Sequence, residues 1–185
     1  MNTHEFTLIV DGPDLQEEAS LTALYEAGCD DAAVGRVASV QYLDFEREAD
    51  TLSDAVVSAV ADIERAVPGA RVVHLEPDDL VTLSDVAERT GRTRESIRLL
   101  TTGERGPGGF PAPATHFRVR QRMWRWQEVA GWFAGELGEP QLVGDPGRAQ
   151  FITAFNAGLT WRRVAPELSR VDLERIRDTV GGPGD

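Results

Sequence analysis

The sequence predicts an α+β protein of electrostatically distinct units, and three observations carry that prediction. Strand-like apolar runs and helix-period segments alternate through residues 1–79 in the order βαββαβ. Two short helical patterns then meet at Gly91, and a strand-like run follows at Met123-Trp124-Arg125-Trp126. Charge reverses between the two regions: residues 1–80 hold 4 Arg and 18 Asp or Glu, net −14, whereas residues 81–133 hold 9 Arg and 5 acids, net +4. Residues 134–185 are net −2, so the chain's −12 comes almost entirely from its first part.

In the first region, Glu5-Phe6-Thr7-Leu8-Ile9-Val10 reads as a strand ended by Asp11-Gly12-Pro13. Asp14, with Glu17 three positions on, signals a helix start; Leu21, Leu24 and Tyr25 keep helical spacing, and Gly28 supplies a left-handed stop. Residues 32–36 and 39–47 read as a strand pair joined by a hairpin. Thr51-Leu52-Ser53-Asp54 has capping form, and Leu52, Ala55, Val56, Ala59, Val60, Ile63 and Val67 make a helical stripe. Pro68-Gly69 ends that helix, and Arg71-Val72-Val73-His74-Leu75 is a last strand. This order suits a ferredoxin-like split βαβ domain over residues 1–79, with both helices burying their stripes on one face of an antiparallel sheet. Such a fold names no function.

Catalytic chemistry is sparse in the sequence. Asp30-Asp31 and Asp78-Asp79 read as solvated loop pairs, because adjacent side chains rarely converge on a cation. His4, His74, His116 and Cys29 lack metal-ligand spacing, and Cys29 follows a helix C-terminus, where the dipole disfavours a thiolate. With no nucleophile beside a base and no phosphate loop between strand and helix, the expectation is a protein that is not an enzyme and takes no cofactor or metal. A lone cysteine and the absence of a signal peptide point to a reducing, cytoplasmic setting, and no apolar run approaches the length of a membrane span. All 19 basic residues are arginine, which reads as a coding background rather than a functional choice.

The segment 81–100 has helix-turn-helix spacing. Val86 and Ala87 face inward, Gly91 takes the tight turn, and Ile97 and Leu100 return to the same small core. A Gly- and Pro-rich exit, 103–113, leads towards the strand-like run, and a helix follows at 127–133. With Gly109-Phe110-Pro111 and Pro113 ahead of Trp124-Arg125-Trp126, Glu128 and Val129, residues 81–133 resemble the MerR-like and excisionase-like (AlpA-like) winged helix-turn-helix DNA-binding domains. The resemblance implies a winged domain over residues 80–134, whose second helix, 93–102, enters the major groove while the 110–126 wing meets backbone or minor groove.

On that footing Thr93, Arg94, Glu95 and Arg98 are the groove-facing set, with Thr93 alternatively a helix cap. Arg94 or Arg98 suits a bidentate bond to guanine, and Glu95 accepts from cytosine. Phe110–Ala114 is expected to pair with Met123–Trp126, leaving 115–122 as the wing tip, where Arg118, Arg120 and Arg122 with the strand's Arg125 meet phosphates. The bland alternatives are a solvated arginine face at the tip and a salt bridge between Arg98 and Glu95. Trp124, Trp126, Trp132 and Phe133 read as core rather than base-stacking platforms.

Residues 135–185 read as a linker, 135–147, then two amphipathic helices: one carries Phe151, Phe155, Leu159 and Trp161, the other Leu168, Val171, Leu173, Ile176 and Val180. They pack on an earlier domain or form a dimer interface. The sequence therefore points to a sequence-specific binder of double-stranded DNA, a transcriptional regulator. A homodimer is expected, because net +4 is weak for one copy, and the acidic domain dimerises or takes a protein or small-molecule partner. A protein-interaction adaptor of the same shape that does not touch DNA, and an excisionase-like architectural role, are the alternatives.

Overall fold

The computed structural model describes residues 1–115, 122–142 and 145–180. The protein is α+β and divides into two compact units, Met1–Glu76 with Ala154–Asp185, and Pro77–Thr153. Of residues 135–185, those up to Thr153 fall in the second unit and those from Ala154 in the first.

The first unit runs β1 (Asn2–Asp11), α1 (Glu18–Glu26), β2 (Ala32–Val37), β3 (Val40–Ala49), α2 (Leu52–Ala66) and β4 (Arg71–Glu76). Its strands form one antiparallel sheet in the order β2-β3-β1-β4. Period-two alternation puts Phe6, Leu8 and Val10 of β1 on the same face as Leu43 and Phe45 of β3, and all five are buried. Register sets Phe6 opposite Phe45, and their rings stack at 5.1 Å. The stripe of α2 (Leu52, Ala55, Val56, Ala59, Ile63) and Leu24 of α1 are buried with them. Thr51 caps α2, accepting the Asp54 N–H at 3.1 Å.

One charged side chain enters this core. Arg47 lies on the buried face of β3 and spends its donors on Asp31, Asp62, Ser58 and the Gly28 carbonyl, at 2.6–3.1 Å. Asp31, expected in a solvated loop, is therefore a structural counter-ion. Nearby Cys29 is buried, and burial pushes its thiol up to about 11.

The first helix begins later than expected, at Glu18. The chain first turns Leu15 fully into the core, where its N–H donates to the buried Gln41 Oε1 at 2.8 Å. Asp14 serves that loop by pairing with Arg36 rather than opening a helix.

The second unit holds β5 (Leu80–Val81), α3 (Leu83–Arg89), α4 (Arg94–Thr101), β6 (Trp124–Arg125), α5 (Trp126–Leu137) and the start of α6 (Pro146–Val164). Its core is Val81, Val86, Ala87, Ile97, Leu100, Trp124, Val129, Trp132 and Phe133. Much of the expected linker is ordered: α5 runs to Leu137, Gly138 stops it at φ 70°, and a helical turn at Pro140–Leu142 follows. After α6, the first unit is completed by a turn at Ala165–Glu167 and by α7 (Arg170–Val180). No helix among the described residues is long and apolar enough to cross a membrane.

Candidate nucleic-acid interface

Two caps and one glycine set the geometry of α3 and α4. Thr82 and Asp85 form a reciprocal capping box that starts α3. Gly91 leaves the helix at φ 63°, and the Arg92 N–H closes the turn on the Ala87 carbonyl at 2.8 Å. Thr93 then caps α4 by accepting the Ser96 N–H at 3.1 Å. Ile97 and Leu100 are buried with Val86 and Ala87, so the opposite side of α4 is left to solvent.

That side carries Arg94 and Glu95, both exposed, with Arg98 partly exposed beside them. Arg94 makes no hydrogen bond or ion pair among the described residues. Arg98 is engaged: its Nε donates to both Glu95 oxygens at 3.0 Å, and a terminal nitrogen reaches Glu104 at 3.1 Å. These bonds hold the Glu95 and Glu104 carboxyls below the usual carboxylate range and raise the Arg98 guanidinium. Thr93 serves as a cap, the second of the two roles open to it.

The segment after α4 is held by indoles and aromatic edges. Trp132 Nε1 donates to the Gly108 carbonyl at 3.0 Å, and Trp124 Nε1 to the Pro111 carbonyl at 3.1 Å. Phe110 packs on Trp132 with ring centres 5.0 Å apart, and on Trp124 and Phe133 at 6.4 Å. Gly106, at φ 84°, lets the chain pass over Leu100, since a Cβ there would stand 2.7 Å from Leu100 Cδ2.

The expected pairing of Phe110–Ala114 with Met123–Trp126 forms only at its Ala114–Met123 end. Trp124 and Arg125 pair with Val81 and Leu80, and the Phe110 side contributes an Ala114 N–H to the Met123 carbonyl at 2.8 Å. Pro111 and Pro113 explain this, since neither has an N–H to donate to a ladder. Arg118 and Arg120 lie outside the described residues. Arg122 is exposed, and Arg125 is exposed with its nearest carboxylate, Asp79, at 3.9 Å.

Three arginines that the sequence reading did not single out also belong to this unit. Arg105 is exposed just after α4, without a side-chain partner among the described residues. Arg89 lies over the Trp126 ring at 4.9 Å. Arg92 stacks on Phe133 at 4.8 Å and forks onto Glu139, which raises the guanidinium and lowers the carboxyl. The only signal for the first two was their place beside the turn-forming segments. Asp79, expected in a solvated loop, is buried, and its carboxylate accepts the Gln127 N–H at 3.0 Å, so it caps α5 from a distant segment.

Compared with known proteins, the chain matches no family model, no curated relative and no solved structure.

Proposed function

We propose that this protein is a sequence-specific DNA-binding protein, a transcriptional regulator that acts by binding rather than by catalysis. One observation carries the reading: α3 and α4 meet at a left-handed Gly91 around Val86, Ala87, Ile97 and Leu100, leaving Arg94, Glu95 and Arg98 on the outward side of α4. The local charge supports it, because exposed Arg94, Arg105 and Arg122 have no carboxylate partner among the described residues. The small β5–β6 pairing and the aromatic packing of Phe110 support reading residues 80–134 as a winged helix-turn-helix. The strand order β2-β3-β1-β4 supports reading the first unit as ferredoxin-like.

Groove reading falls to Arg94 and Arg98, with backbone contact from the 110–126 wing through Arg118, Arg120, Arg122 and Arg125. Double-stranded DNA is the partner, bound by a homodimer, in a reducing cytoplasm that suits the lone Cys29. Titration of duplex binding against salt tests this reading: log K falls linearly with log salt, with a slope of about −0.9 per phosphate contacted. Negligible affinity for every duplex at low salt overturns it.

The adaptor reading has one specific observation in its favour. Arg98 is already paired with two carboxylates and Arg92 with Glu139, an arrangement that lowers the unit's pull on phosphate. A partner retained in pull-down after nuclease treatment, with no duplex affinity, is the outcome that selects it.

A further inference from the structure

The two edges of the four-stranded sheet are treated differently. Along β4 the outward backbone groups are occupied by side chains. Asn156 accepts the Leu75 N–H at 2.8 Å and donates to the Leu75 carbonyl at 2.9 Å. Glu64 accepts the Val72 N–H at 3.0 Å, while Arg162 donates to the Val72 carbonyl at 2.6 Å and pairs with Glu64 at 2.8 Å. A further strand finds those groups taken.

The β2 edge is open. Its hairpin closes on Val37 opposite Val40, so the ladder to β3 uses Val37, Gly35 and Ala33, and continues with the Glu46 N–H on the Asp31 carbonyl at 3.1 Å. Val34 and Arg36 therefore aim N–H and C=O away from the sheet, and no hydrogen bond among the described residues reaches them. The Ala32 N–H is held by the Cys29 carbonyl, which leaves the Ala32 carbonyl facing outward. Sheet edges are commonly protected by proline, bulges or several charges. Here β2 has no proline, keeps unbroken register with β3, and carries one charge, Arg36, already tied to Asp14 and Gln41.

The same strip is low in charge along the sequence. The first 80 residues hold 18 acids, yet residues 32–43 hold none, and at the hairpin tip Val37 and Val40 are 66% and 46% exposed. Two copies that meet along this strand bring none of these twelve residues' side chains together as like charges, and the nearest exposed acid on the ladder is Asp44, opposite Ala33 on β3.

We propose that β2 pairs antiparallel with β2 of a second copy, joining the two sheets into one. The arrangement is self-complementary about Val34. Each Val34 exchanges both backbone bonds with its counterpart, and each Arg36 N–H reaches the partner copy's free Ala32 carbonyl, the group its own strand leaves unused. The pairing stands on the sheet edge alone and does not depend on DNA binding.

Sedimentation of the full chain without DNA tests it, over about 1–100 µM. Val34→Pro removes the outward donor while leaving the ladder to β3 intact, because the Val34 N–H is not part of it. Ala33→Glu brings an acid to the exposed seam, and Val57→Glu adds the same charge on α2, where Val57 is 52% exposed away from the edge. The wild type is expected to be dimeric, more tightly so as salt rises and screens the acidic bodies. Val34→Pro and Ala33→Glu weaken the dimer at least tenfold with circular dichroism unchanged, and Val57→Glu behaves as wild type. A monomeric wild type at 100 µM, or a dimer indifferent to Ala33→Glu in a folded chain, overturns the proposal. Neither result bears on whether a chain with Arg94 and Arg98 intact binds duplex DNA.

Discussion

Arg98 and Glu95, three residues apart on α4, form a forked pair in which the guanidinium Nε donates to both carboxylate oxygens at 3.0 Å. Glu104 closes on the same guanidinium at 3.1 Å and accepts the Thr102 hydroxyl at 2.9 Å. Such a clasp holds a long side chain in one orientation, and it also sets two negative charges where a phosphate or a guanine edge would approach.

Loosening the clasp separates those effects. Glu104→Gln keeps the size of the side chain and removes one repelling charge, so affinity for all duplexes rises several-fold, measured by fluorescence anisotropy at low salt. The carboxyls of Glu95 and Glu104 are lowered by Arg98, so the clasp is complete above the unfolded carboxylate value of about 4.3 and is lost as pH falls through the lower folded values. NMR titration of the two carboxyl carbons therefore places both midpoints below that value in the wild type and returns them towards it in Arg98→Ala.

Arg47 is the charge the first unit cannot lose cheaply. Its side chain is 8% exposed and bonded to both Asp31 and Asp62. Arg47→Met leaves Asp31 without a cation and Asp62 with Arg65 alone, at a cost of about 3 kcal/mol in urea unfolding. Replacing Asp31 and Asp62 by Asn in the same chain recovers part of that loss.

Thr93 and Gly91 each set the local backbone of the α3–α4 turn, so their loss is read first in stability. Thr93→Ala removes the Ser96 cap and costs about 1 kcal/mol, whereas Thr93→Ser retains it. Gly91→Ala costs about 1–2 kcal/mol through its positive φ alone, because nothing lies within 4 Å of the added Cβ. Thermal unfolding reads both losses, and duplex preference is unchanged in the fraction that remains folded.

What was legible in the chain was local and periodic. The alternation Phe6, Leu8, Val10 against Leu43, Phe45, and the stripe from Leu52 to Ile63, are properties of neighbouring residues, and they form the elements the sequence predicts. Groups that find partners far along the chain were not legible. Asn156 on Leu75 and Arg162 on Val72 seal an edge across 81 and 90 residues of chain. Asp79 looked like a loop residue because its donor, the Gln127 N–H, lies 48 residues on. The partner of Trp124–Arg125 was misread for a related reason: a two-residue pairing carries too little alternation to set its register. At the candidate interface, spacing alone put Arg94 and Arg98 on the outward side of α4. It left a salt bridge from Arg98 to Glu95 open as the bland alternative and did not show that Glu104 joins it.

Selection of bound duplexes from a random pool at about 100 mM salt, with Arg94→Ala and Arg98→Ala in parallel, tests the central claim most directly. The account predicts an enriched motif for the wild type. In either variant that motif relaxes at a base pair read by the lost arginine, by about 1–3 kcal/mol of discrimination. A wild type that enriches nothing, or a motif unchanged by both substitutions, contradicts base reading by α4.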